Sequence, residues 1–196
     1  MHWLDPDYLP RTAGTVQRFL LNPDGLIDGF LLQDGQEIHV PPHLDRQLRQ
    51  LCRPGDAVIV RGVRPRGADM VAAVAVETAD QRLLDGGPPE GDEKKRLKAD
   101  AEKRGSKMEV EGRISRGLHG PKGELRGLIL ESGEIGRFPA KAAALVRPLI
   151  EAGATIIMRG EGLAMAEGTV VKLSEIGPSR TELQSLKAPP KADHHH

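Results

Sequence analysis

The chain has 196 residues with 28 Lys and Arg against 28 Asp and Glu, and its zero net charge argues against the strongly basic profile of a protein held permanently on nucleic acid. Only 3% of residues are aromatic and there is a single cysteine, Cys52, so no internal disulfide can form. No stretch of about 18 apolar residues could span a bilayer, and the N-terminus lacks the basic and apolar runs of a signal peptide. The expectation is a cytoplasmic protein without a membrane partner.

Residues 1–13 hold the only Trp, Trp3, and the only Tyr, Tyr8, among prolines and Asp-containing turns. They read as an irregular arm with both rings docked on the body of the protein. A first unit follows over residues 14–79. Thr15 to Asn22 is rich in β-branched and apolar residues and ends at the turn Asn22-Pro-Asp-Gly25. Ile27 to Gln33 is an apolar strand interrupted by Gly29, and Asp34-Gly35 signals a hairpin into Glu37 to Val40.

After Pro41-Pro42 the hydrophobic period changes to 3.6. Leu44, Leu48, Leu51 and Cys52 share one helical face, which makes Cys52 a buried small hydrophobe. Pro54-Gly55 ends the helix, and Ala57 to Val63 and Met70 to Glu77 are strands joined through Pro65-Arg-Gly67.

Residues 80–107 form a charged linker. Its run Asp92 to Arg104 offers no apolar face and reads either as a solvated helix helped by Asp92/Arg96 and Asp100/Arg104 or as flexible chain. Residues 108–178 then repeat the first unit, because Gly14 to Thr78 aligns without a gap on Gly112 to Ile176. Matches include Arg18/Arg116, Pro23/Pro121, Gly29/Gly127, Pro41/Pro139, Gly55/Gly153 and Arg61-Gly62/Arg159-Gly160. In the second copy Ala142, Val146, Leu149 and Ile150 renew the helical face, with Pro148 demanding a kink or restart. Residues 179–196 read as a disordered tail, and His194 to His196 are set aside as tag-like.

Strand, strand, strand, helix, strand, strand in under 70 residues resembles the oligonucleotide/oligosaccharide-binding barrel, the OB-fold. The implied fold class is mainly β: two five-stranded Greek-key OB-type barrels in tandem, each with a helix between its third and fourth strands. Gly29 and Gly127 would let a small sheet bend enough to close.

No phosphate loop, nucleophile elbow or His-Glu-x-x-His motif is present, and Pro41-Pro42 separates His39 from His43, so neither catalysis, a cofactor nor a metal is expected. The informative features are cations where OB barrels bind, on strands two and three and in the one-two and four-five loops. Candidate nucleic-acid-binding residues are Arg18, Phe19, Arg61, Arg64 and Arg66 in the first unit. In the second they are Arg113, Arg116, His119, Lys122, Arg126, Arg137 and Arg159. Guanidinium forks suit phosphate, and Phe19 is the best candidate for stacking a base, whereas Phe30 and Phe138 read as core.

The four-five loop of the first unit, with Arg64 and Arg66, is basic; that of the second, Glu161 to Glu167, is not. Asp28 and His39 become Arg126 and Arg137, so the second copy is expected to bind a polyanion harder. The leading expectation is non-enzymatic binding of single-stranded nucleic acid or structured RNA, mainly through phosphates. An alternative is an adaptor that uses the barrels to engage a protein partner. A third is small-anion binding, disfavoured because no Ser-Ala-Arg-Asn motif of the molybdate-binding modules is found.

Overall fold

The computed structural model describes residues 6–66, 69–87, 89–101 and 105–186. Contacts divide the chain into two compact units, Met1–Lys103 with His119–Glu124, and Arg104–Leu118 with Leu125–His196.

In the first unit β1 (Arg11–Leu21), β2 (Ile27–Leu32), β3 (Glu37–His39), β4 (Ala57–Val63), β5 (Met70–Glu77) and β6 (Arg82–Leu84) order as β3-β2-β1-β4-β5-β6. A parallel pairing of β3 with β5 closes the first five into a barrel. Helix α1 (Asp45–Leu51), entered through a 3-10 turn at Pro42–Leu44, lies between β3 and β4 in sequence. Leu44, Leu48 and Cys52 are buried as their spacing predicts, and Phe30, Leu32, Ile38 and Met70 are wholly buried. Each such side chain contributes about 1.5–3 kcal/mol.

Helix α2 (Gly91–Ala101) buries no residue. Of the two expected ladder pairs, Asp92/Arg96 is replaced by Glu93–Arg96 at 3.8 Å, and Arg104 lies outside the described residues. Asp100 instead meets Arg46 of α1 through two hydrogen bonds of 2.8 and 2.7 Å, a planar fork that fixes the helix from one end.

The second unit repeats the barrel with β7 (Ser106–His119), β8 (Leu125–Leu130), β9 (Ile135–Arg137), β10 (Thr155–Met165), β11 (Gly168–Gly177) and β12 (Gln184–Ser185), β9 pairing parallel with β11. Its core gathers Ile114, Leu128, Leu130, Phe138, Val146, Met158, Val171 and Ile176. Helix α3 (Ala143–Val146) stops after one turn and continues as a 3-10 turn over Arg147–Leu149. Pro148 explains this, since it cannot donate the next helical hydrogen bond. Both units are OB-type barrels.

The repeated glycines mark close approaches. A Cβ at Gly29 would lie 2.2 Å from Ile38 O, and one at Gly127 2.7 Å from Gly136 O, so the third strand needs a bare backbone beside it. The repeated Arg-Gly pair marks a bulge: pairing shifts between Arg61 and Gly62 and between Arg159 and Gly160. A Cβ at Gly62 would lie 2.3 Å from Ala72 O.

Several expectations are corrected. Strand β1 begins at Arg11, inside the segment read as irregular, because its backbone pairs with β4. Tyr8 stands 88% exposed instead of docked, and Trp3 lies outside the described residues. Strand β6 falls within the charged linker and β12 within the tail; strands of three and two residues are too short to show a hydrophobic period and form by adding backbone bonds to β5 and β11. The tail beyond Leu186, the tag-like histidines and the turn residue Gly67 lie outside the described residues. The four-five connection of the second barrel, expected over Glu161 to Glu167, is mostly strand, and only Ala166 and Glu167 turn the β10–β11 hairpin.

Candidate nucleic-acid interface

The outer face of strands one, four and five is balanced in charge in the second barrel and carries like charges side by side in the first. In the second, Glu109, Arg159 and Glu175 lie in one cross-strand row and Lys107, Glu161 and Lys172 in the next. Arg159 Nε donates to Glu109 Oε1 at 2.6 Å, and its Nη1 lies 3.7 Å from Glu175. Arg180 adds a second hydrogen bond to Glu109 at 2.8 Å. The two arginines hold the Glu109 carboxyl below its usual range, and Glu109 raises the Arg159 guanidinium. Arg159 is therefore neutralised by its neighbours, as opposite charges across strands are.

In the first barrel the same position is Arg61, but the residue opposite it on β1 is Arg11, where the second barrel has Glu109. Like charges directly opposite repel. Arg61 Nε approaches Glu77 only to 4.0 Å and, though buried, has no hydrogen-bond partner; its Nη1 reaches Asp7 O at 3.5 Å. Arg82 takes the better share of both acidic residues, at 2.7 Å from Glu77 and 2.9 Å from Asp7. Among the described residues nothing pairs with the exposed Arg11 guanidinium. Arg61 and Arg82 thus share Glu77, and Arg11 has no carboxylate partner among the described residues.

The four-five loop continues this surface. Arg64 bonds Gln36 Oε1 at 2.5 Å and lies 3.5 Å from Asp69, while Arg66 is exposed with no partner among the described residues. Arg18 is half-buried on β1, opposite Leu31.

Phe19 does not serve as an exposed stacking surface: it is 7% exposed. Pairing along β1 slips between Val16 and Arg18, so that Phe19 falls opposite the core residue Phe30. One inserted residue moves the following side chains to the other face. Arg137 is also corrected, being 5% exposed; its side chain lies over Gly127, where a Cβ would come 3.0 Å from its Cδ.

Arg126 is exposed on β8, and Arg116, half-buried on β7, donates to Gly117 O at 3.2 Å. Arg113 donates to Gly153 O at 3.3 Å and lies 3.9 Å from Glu131. Lys122 is exposed in the turn before Glu124. His119, grouped with the first unit, is engaged by the buried Glu37: its backbone N–H donates to Oε2 at 2.6 Å, and Nδ1 lies 2.8 Å from Oε1. The first barrel therefore carries Arg61 with Arg11 opposite it and Arg82 sharing Glu77, and Arg64 and Arg66 in the loop after β4, whereas Arg159 and His119 are engaged by carboxylates and Arg137 and Phe19 are buried. Arg11 was legible in the sequence, since the offset that aligns Gly25 with Gly123 also sets Arg11 against Glu109. Among the described residues no group of three or more His, Cys, Asp or Glu could hold a metal ion.

No family model matches the chain, and no curated protein does. Among solved structures, the wild-type single-stranded DNA binding protein from Thermus aquaticus is similar at 15% identity over 92% of this chain and 93% of its own, with a TM-score of 0.27. A deletion mutant of that protein is similar at 15% identity over 92% and 96% of the two chains, with a TM-score of 0.26. The tandem barrels are read from strand order and closure.

Proposed function

We propose that the chain is a non-enzymatic binder of single-stranded nucleic acid that holds the phosphate backbone on the outer face of its first barrel. The observation that supports this reading is the Arg11–Arg61 pair, two like charges directly opposite on a rigid sheet, which the second barrel relieves with Glu109. An anion laid across the pair relieves the repulsion, and guanidinium forks give two hydrogen bonds per phosphate. Arg64 and Arg66 lengthen the surface at the loop end. This favours the first copy over the second, the reverse of the sequence expectation.

The test is fluorescence anisotropy with labelled 12-mer oligo(dT) and oligo(rU) at two salt concentrations. If Arg11, Arg61, Arg64 and Arg66 each meet a phosphate, log affinity falls against log salt with a slope of about −3, from roughly −0.7 per contact. Arg11→Ala and Arg66→Ala each lower the steepness by about 0.7. Absence of binding at low salt rejects the reading; stoichiometric recovery of a protein partner after nuclease treatment would then favour the adaptor.

A further inference from the structure

We infer that Tyr8 is a base-stacking site for single-stranded nucleic acid, standing beside the arginine surface of the first barrel; the inference rests on the phosphate-binding reading above. Tyr8 is 88% exposed, against 37–47% for the other exposed large hydrophobic residues. Its 3-10 turn, Pro6–Tyr8, is nevertheless held to the barrel at several points. Asp7 O accepts from Arg61 Nη1 at 3.5 Å, the Asp7 carboxylate accepts from Arg82 Nη2 at 2.9 Å, and Pro10 O accepts from Gly62 N–H at 3.3 Å.

The turn is thus anchored by the same arginines that form the cationic surface, while its ring remains in water. Pro10 restricts the backbone between the turn and β1, so little ordering remains to be done when a planar ligand arrives. Val63, 44% exposed on β4 and two residues beyond Arg61, adds an apolar contact on the same face of the strand. A ring with a free π-face on a turn held by Arg61, which lies opposite the unpaired Arg11, matches a nucleotide, whose base stacks and whose phosphate pairs. Every base has such a face, so the site is indifferent to sequence, but only an unpaired base can reach it.

Stacking and phosphate contact respond differently to salt, and this separates the two readings. With 12-mer oligo(dT), Tyr8→Ala should weaken binding about tenfold and leave the salt slope unchanged. Tyr8→Phe should keep most of the affinity, and preference for oligo(dT) over a duplex of equal length should narrow in Tyr8→Ala only. In a Trp3→Phe background, Tyr8→Trp leaves one indole in the chain, and its emission should be quenched on saturation with oligo(dT). Unaltered affinity in Tyr8→Ala, or an indole whose emission ignores the oligonucleotide, overturns this site while leaving phosphate binding standing. If the wild-type protein binds no oligonucleotide at low salt, both fall together.

Discussion

Asp45 is 4% exposed and accepts from Ile27 N–H at 2.6 Å and from Arg49 Nε at 3.0 Å, so one carboxylate ties α1 to the start of β2. The second barrel has Ala143 at the matching position and a helix of one turn. Removing the carboxylate strands a buried N–H, and Asp45→Ala should cost about 2–3 kcal/mol in urea unfolding, with Asp45→Asn recovering part of the loss because its amide oxygen still accepts. Burial, and behind it Asp56, pushes the Cys52 thiol up to about 11. The thiolate is therefore scarce at pH 8, and iodoacetamide should label Cys52 slowly in the folded protein and rapidly in denaturant. Labelling of the native protein at the rate of a free thiol would contradict the burial. The apolar face of α1 made Cys52 legible from spacing alone; Phe19 was not, because one slipped residue in β1 decides its side.

At the scale of the element, the two barrels differ in the charge opposite one arginine of a sheet face, Arg11 in the first and Glu109 in the second. Arg11→Glu would give the first barrel the neutralised pairing of the second. It should leave the urea midpoint unchanged or raised, and weaken oligonucleotide binding more than Arg11→Ala does, because it adds a repelling charge. A fall in stability comparable to that of Asp45→Ala would show that Arg11 supports the fold. The strand-four and strand-five pairing also differs between copies: Val60 faces Val76, whereas its counterpart Met158 faces Ile176, the counterpart of Thr78. A shift of two residues keeps every side chain on its face, so the gapless alignment hides it. It is this shift that sets Arg159 opposite Glu175 while Arg61 faces Ala75 and meets Glu77 only on the diagonal.

For the whole molecule, zero net charge means that the proposed attraction to a polyanion would have to arise from local surfaces, which act over about 8–10 Å at ordinary salt. Strand order, the helix between strands three and four, the turn glycines and the bend at Gly29 and Gly127 were all written into the chain, because hydrophobic period and backbone allowance are local properties and each is stated twice. The sequence also held the cations of the candidate surface. Only the tertiary structure decided which of them are spent: Arg159 on Glu109, Arg137 over Gly127 and His119 on Glu37, against Arg11 left facing Arg61 beside an exposed Tyr8. Pairing across strands depends on register, and register is set by bulges and loop closure between residues far apart in the chain. Local pattern therefore determined the barrels, and long-range pairing decided which arginines remain open to a ligand.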